Sequence, residues 1–310
     1  MLATAAFTLG GIALFTYVVR RAGVGEILEG VQRVGWGLAA ILLLAGVRFA
    51  LRAQGWRFCL PAGTHLTFGQ ALGAFLAGDA VGSVTPLGLL ASEPAKVFLT
   101  RHHLATRESA ASLAVENLIY AGSVVAMIGV GLVVVLATAS LQAAWQAAIA
   151  LSLIVIAVGS LVAIRLLRGT WESSQGPRPR WRARLAELRE AAVRLSANEP
   201  SRLWRAFALD GLFHAAGVLE VFITLRWLFG DRSPTIVQAI VFEALNRVIT
   251  VAFKFVPFRI GVDEALSGAL APMLAVNPAA GVALAVVRKI RSLFWAGVGL
   301  IFVATHPGRP

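Results

Sequence analysis

Two short stretches decide the fold: Thr85-Pro86-Leu87-Gly88-Leu89-Leu90-Ala91-Ser92-Glu93 and Val256-Pro257-Phe258-Arg259-Ile260-Gly261-Val262-Asp263-Glu264. In both, a proline is followed seven residues later by a glutamate, with a glycine between. Each interrupts a long apolar run, residues 68–99 and 236–274, too long for one membrane span and too punctuated for two. Proline removes a backbone donor and crowds the preceding turn, and glycine admits backbone angles that other residues avoid. The expected structure is helix, break, helix, entering and leaving on one side of a membrane. The first run is expected to break near Pro86 and again at Pro94, the second near Pro257 and Gly261. Non-helical backbone is tolerated at membrane depth only where protein or a cavity shelters it.

Outward from these stretches the chain stays apolar. Of 310 residues 58% are hydrophobic and 14% charged, against about 45–50% and about 25% in soluble domains. Six further stretches, 2–19, 37–51, 111–137, 144–166, 203–229 and 280–304, approach the roughly 20 apolar residues that cross a bilayer. Residues 2–19 lack a basic n-region, and Arg20-Arg21 follows them instead of a small-residue cleavage site, so a membrane helix is expected there and not a signal peptide. The fold class expected is an all-α polytopic membrane protein with six transmembrane helices and two broken re-entrant hairpins.

The formal net charge is +12, from 28 Lys+Arg against 16 Asp+Glu, and only Lys96, Lys254 and Lys289 are lysine. Ten arginines between Arg165 and Arg205 place that segment in the cytoplasm by the positive-inside rule. With a re-entrant first hairpin, Arg52, Arg57, Arg101 and Arg107 fall on the same side, as do both termini of a bacterial inner-membrane protein. Arg20, Arg21 and Arg33 then lie outside, against the rule. Residues 179–196 carry one apolar stripe (Trp181, Leu185, Leu188, Ala192, Leu195) with arginines opposite, which predicts an amphipathic helix on the anionic inner leaflet. Nothing nearby offers stacking aromatics, so no nucleic-acid partner is expected.

The order span, interfacial helix, span, broken hairpin, span occurs twice, over residues 1–138 and 144–305. Three spans per copy is an odd number, so the second copy runs inverted through the bilayer. Inverted repeats whose broken helices meet inside the membrane are characteristic of alternating-access carriers.

Ionisable groups at bilayer depth need a partner or a wet cavity. Glu93 and Lys96 lie in the first hairpin, with Asp79 beside them. Glu243, Arg247, Lys254, Arg259, Asp263 and Glu264 line the second, and Arg288, Lys289 and Arg291 sit on the last span. The substrate-binding set expected is Glu93, Lys96, Arg247, Lys254, Arg259, Asp263, Glu264, Arg288 and Arg291, hinged at Pro86, Gly88, Pro257 and Gly261. The cations suit an anionic headgroup, since arginine grips phosphate in a bidentate fork. They could equally pair internally with Glu243, Asp263 and Glu264, and Glu93 and Glu264 could simply cap their broken helices. Asp210 and His214 are expected in a structural pair or at an interfacial position. The Gly69-x3-Gly73 and Gly78-x3-Gly82 patterns point to close helix packing.

Enzyme signatures are absent: no Walker A, G-x-S-x-G, H-E-x-x-H or dinucleotide fingerprint occurs, and the single Cys59 excludes cysteine-based clusters. No cofactor or metal is expected.

Arg52–Cys59 (RAQGWRFC), Thr85–Arg101 (TPLGLLASEPAKVFLTR), Val115–Asn117 and PFRIGVDE at Pro257–Glu264 resemble the membrane domain of lysylphosphatidylglycerol synthase/flippases, over nearly the whole chain. The resemblance implies translocation of a polar, anionic or aminoacylated lipid, with Pro86, Gly88, Glu93, Lys96, Pro257, Gly261 and Glu264 on the motif positions. Leu87 and Ser92 stand where the family frequently has glycine, Lys96 where it often has arginine, and Glu116-Asn117 where it has an acid followed by arginine. The soluble aminoacyl-transfer domain of two-domain members is not represented, so a stand-alone member is implied, with a homodimer or a lipid synthase as candidate partner. The rival readings are a small-solute carrier, an enzyme on polyprenyl-phosphate sugars, and a non-catalytic partner of a lipid-modifying enzyme.

Overall fold

The computed structural model describes residues 25, 32, 34–84, 88–138, 142–168, 186, 189–193, 199–229, 235–253, 256, 259, 261–274 and 277–305. Among them the regular structure is helical. The helices are α1 (Gly37–Cys59), α2 (Phe68–Val84), α3 (Leu89–Thr100), α4 (Thr106–Thr138), α5 (Ala143–Arg168), α6 (Pro200–Phe229), α7 (Ile236–Ala252), α8 (Val262–Leu270) and α9 (Pro278–Thr305), with a 3₁₀ turn at Ala271–Leu274. Four are long and apolar enough to cross a membrane: α1, α4, α5 and α6. At 28 residues α9 is also long enough, but Arg288, Lys289 and Arg291 interrupt its apolar run, and all three are paired inside the protein.

Two helix–break–helix units are present, α2–α3 and α7–α8. Their first arms are 17 residues each, about 25 Å at 1.5 Å per residue, short of the roughly 30 Å hydrocarbon core. Both arms open with the same device. The Thr67 hydroxyl accepts the Gln70 N–H at 3.3 Å while the Gln70 side chain accepts the Thr67 N–H at 2.9 Å. Thr235 and Gln238 repeat this at 3.4 and 2.7 Å. These reciprocal boxes satisfy helix-end donors that would otherwise be orphaned.

The packing pairs recur in matched form. The central contact is α1 on α6. The first arm α2 packs on α9, and the first arm α7 packs on α4. Likewise α1 touches α2 as α6 touches α7, and α3 lies on α4 as α8 lies on α9. The core falls in two main clusters. One joins Ile41 with Val221, Leu225, Phe242 and Leu284. The other surrounds Trp56, whose ring meets Phe75 edge-on and whose indole N–H donates to Ser112 Oγ at 2.9 Å.

Small residues set the closest approaches. A Cβ at Gly299 would lie 2.2 Å from the Leu76 carbonyl oxygen, so α9 and α2 touch backbone to backbone there. Gly73, Gly78 and Gly82 likewise sit under Phe302, Lys96 and Ser92, whereas Gly69 faces open space, so the expected glycine packing holds for three of the four. Gly299→Ala must separate α9 from α2, and overpacking of this kind costs about 1–3 kcal/mol. A thermal melt of the purified variant in detergent should show a lowered midpoint; an unchanged midpoint would mean the contact gives way freely.

Several expectations are corrected. The span expected at 37–51 runs on to Cys59, so Arg52, read as a cytoplasmic loop cation, is a helix residue turned into the protein. Pro94 does not break the helix: α3 passes through it, because near the helix start only one backbone bond is forfeited. Residues 189–193 are helical, but Ala191 and Ala192 rest on Cys59, Val115 and Ala206, so protein covers part of the stripe assigned to the lipid surface. The expected span at 2–19, the rest of the amphipathic helix apart from residue 186, Pro86, Pro257 and Lys254 lie outside the described residues.

Candidate functional site

Four arginines and two glutamates meet where α1, α6, α7 and α9 converge. Arg48 stands midway along α1, Glu220 on α6, Glu243 and Arg247 on α7, and Arg288 and Arg291 midway along α9. Arg48 Nη1 donates to Glu220 Oε2 at 3.0 Å, and its Nη2 lies 3.6 Å from Glu243 Oε1. Arg247 Nε donates to the same Glu243 oxygen at 3.0 Å, its Nη2 also bonds Glu243, and its Nη1 donates to the Tyr120 hydroxyl at 3.2 Å. Arg288 Nη2 donates to Glu243 Oε2 at 3.3 Å, and Arg291 Nη1 holds both oxygens of Glu220.

The local sequence explains the convergence. Glu243 and Arg247 are one turn apart on α7, so they share a face. A Cβ at Gly217 would fall 2.3 Å from Glu243 Oε1, so the missing side chain on α6 makes the space this carboxylate fills. Glu220 and Glu243 are 2% and 1% exposed. The Arg48 guanidinium lies 4.3 Å above the Phe213 ring, a cation–π contact that fixes its plane.

A second network adjoins the first. Arg52 grips Glu116 with both Nε and Nη2, the latter at 2.8 Å, and lies 3.7 Å over the Tyr120 ring. Tyr120 therefore touches both networks. Its ring also stacks on His214, whose Nε2 is 3.1 Å from Ser123 Oγ. The expected pairing thus holds for His214; Asp210 is buried and makes no ion pair among the described residues.

The two breaks differ. Gly261 opens α8 at φ +81°, and its N–H donates to Glu264 Oε2 at 2.8 Å. Glu264 therefore caps its own helix, and its other oxygen is 2.9 Å from Lys289 Nζ on α9, in ion-pair contact without hydrogen-bond alignment. Gly88 opens α3 at φ +31°, but Glu93 stands five residues on, not three, and does not cap. Its Oε1 accepts from Lys96 Nζ at 2.7 Å, and its Oε2 has no hydrogen-bond partner among the described residues. Lys96 lies 4.2 Å over the Phe75 ring. Arg259, the one non-glycine with positive φ (+48°) among the described residues, donates through Nε to Asp263 Oδ1 at 2.9 Å. That backbone costs about 1–2 kcal/mol in an L-residue.

Of the nine residues expected to bind substrate, Arg247, Arg288 and Arg291 share the central cluster. The pairs Glu93–Lys96, Arg259–Asp263 and Glu264–Lys289 stand at the breaks. Arg48, Glu220, Arg52, Glu116 and Tyr120 join the site although none was in the expected substrate-binding set. Their signal in the sequence was a charge or phenol inside an apolar span.

Residues 1–299 match the family described as lysylphosphatidylglycerol synthase TM region. No curated protein and no solved structure matches the chain. All four helices fit to cross a membrane and the whole arginine–glutamate cluster lie within that match, and the chain belongs to the lysylphosphatidylglycerol synthase transmembrane-region family.

Proposed function

We propose that this protein is a flippase-like carrier that moves a polar or anionic lipid between leaflets of the bacterial inner membrane. The observation that supports it best is the central cluster. Four guanidiniums face two carboxylates, buried where the helices converge. An anionic headgroup entering between the helices would find charge-assisted donors there, while its acyl chains stay in lipid.

The matched packing pairs and the twin Thr-x-x-Gln boxes support a reading as two inverted copies, residues 1–138 and 144–305, in which α1–α4 match α6–α9 and each copy has a re-entrant hairpin. Rocking one copy against the other would expose the cluster to each leaflet in turn. In this reading the chain translocates and does not catalyse, and both termini are cytoplasmic.

The test is reconstitution into vesicles holding headgroup-labelled anionic, zwitterionic and aminoacylated phospholipids, with outward movement timed by quenching. Anionic lipid should cross at least tenfold faster than in protein-free vesicles, and Arg288→Ala should remove most of that gain. No acceleration for any of the three lipids would overturn the reading.

A further inference from the structure

We propose that the central cluster is a receptor for a doubly negative phosphate, the headgroup of a lipid phosphomonoester, and that it rejects aminoacylated headgroups of net positive charge. The inference rests on the lipid-carrier reading and narrows its substrate.

Charge counting carries the first step. Arg48, Arg247, Arg288 and Arg291 face Glu220 and Glu243, leaving two positive charges uncompensated among the described residues. A guanidinium does not lose its proton in a protein, so this excess is permanent. No third carboxylate makes an ion pair with these four arginines among the described residues. Arg52–Glu116, Lys96–Glu93, Arg259–Asp263 and Lys289–Glu264 are each balanced pairs. Asp79 lies within electrostatic reach of Arg291, and Asp210 of Arg52, but neither makes an ion pair among the described residues. Buried charge left without a counterion is strongly unfavourable, so the resting cluster is primed for an anion.

The donors point the same way. Arg48 is 7% exposed, and its Nε is buried with no hydrogen-bond partner. Arg288 is 8% exposed, and Nη2 is its only side-chain nitrogen with a hydrogen bond among the described residues. The Tyr120 hydroxyl accepts from Arg247, which leaves its own proton to donate. Forked guanidinium donors and a phenol suit the three terminal oxygens of a monoester, and two charges on one phosphate match the excess of two. A phosphodiester supplies one charge. A phosphodiester esterified with lysine adds two ammonium groups and arrives net positive, so an excess of two cations repels it.

Binding tests this apart from transport. The purified full chain in non-ionic detergent at pH 8 is titrated with phosphatidic acid, phosphatidylglycerol, phosphatidylcholine, lysylphosphatidylglycerol and inorganic phosphate, read by native mass spectrometry and thermal shift. Phosphatidic acid should bind at least tenfold tighter than phosphatidylglycerol. Phosphatidylcholine, lysylphosphatidylglycerol and inorganic phosphate should give no shift. Arg288→Gln, which removes one positive charge, should abolish the preference for the monoester while binding of phosphatidylglycerol persists.

Equal affinity for lysylphosphatidylglycerol and phosphatidic acid would overturn the proposal, as would an Arg288→Gln variant with its preference intact. Inorganic phosphate binding as tightly as phosphatidic acid would make this a free-anion site and overturn the lipid assignment. No leaflet is crossed in detergent, so phosphatidic acid that binds but is not carried would fail the carrier reading alone.

Discussion

Glu243→Ala is expected to be among the most damaging single substitutions in the chain. Its carboxylate takes bonds from Arg247 and Arg288 and lies 3.6 Å from Arg48, at 1% exposure. Removing it leaves four arginines, three of them buried, against Glu220 alone. Breaking a buried ion pair from one side costs about 3–5 kcal/mol, because the partner charge stays behind without compensation. At about 2–4 °C per kcal/mol the melting midpoint should fall by about 6–20 °C, and much of the protein should fail to accumulate as a monodisperse species. The double variant Glu243→Ala, Arg247→Ala removes one charge of each sign and should recover part of the loss, a non-additivity expected of residues in contact. If the double variant melts at the sum of its two single shifts, the pair is not coupled.

The second large effect is expected at Glu264, which does two things at once. Glu264→Ala loses the cap on the Gly261 N–H and leaves Lys289 Nζ buried without its counter-charge, a loss of about 3–5 kcal/mol by the same argument. Glu264→Gln keeps an acceptor for Gly261 and loses only the charge, so it should be milder. Combined with Lys289→Met it should return to within about 1 kcal/mol of the parent, since a buried pair is often replaced by uncharged residues at little cost. Denaturation of the four proteins in one detergent separates the roles. Equal losses for Gln and Ala would mean that the cap contributes nothing.

These residues also show what could be read in advance. The Pro-to-Glu spacing located both breaks, since proline and glycine act on their own local backbone. Capping was one of two open readings for Glu93 and Glu264, and it holds for Glu264 alone. The sequence match pairs the two glutamates, yet Gly261 stands three residues before one and Gly88 five before the other. Register relative to a helix start depends on where the chain leaves the break, and packing decides that.

The convergence of Arg48, Glu220 and Glu243 was not legible either. These residues come from three helices, and which faces meet depends on pairings such as α1 with α6 that no local pattern encodes. Arg52 was misread because it follows the apolar run and resembles a loop cation. Its helix continues, and Glu116 neutralises it.

One helix stands apart from all this. Leu151, Ile154, Val155, Val158 and Leu161 of α5 are each more than half exposed, no residue of its apolar stretch 146–163 is buried, and its described neighbour is α4. Acyl chains solvate such a surface as well as leucine does, so burial does little to hold α5 in place. It joins α1–α4 to α6–α9 as a leash and not as a brace. Sliding of one group of helices against the other would break few contacts at their covalent link, and the mechanical resistance to such movement resides in the packed faces alone.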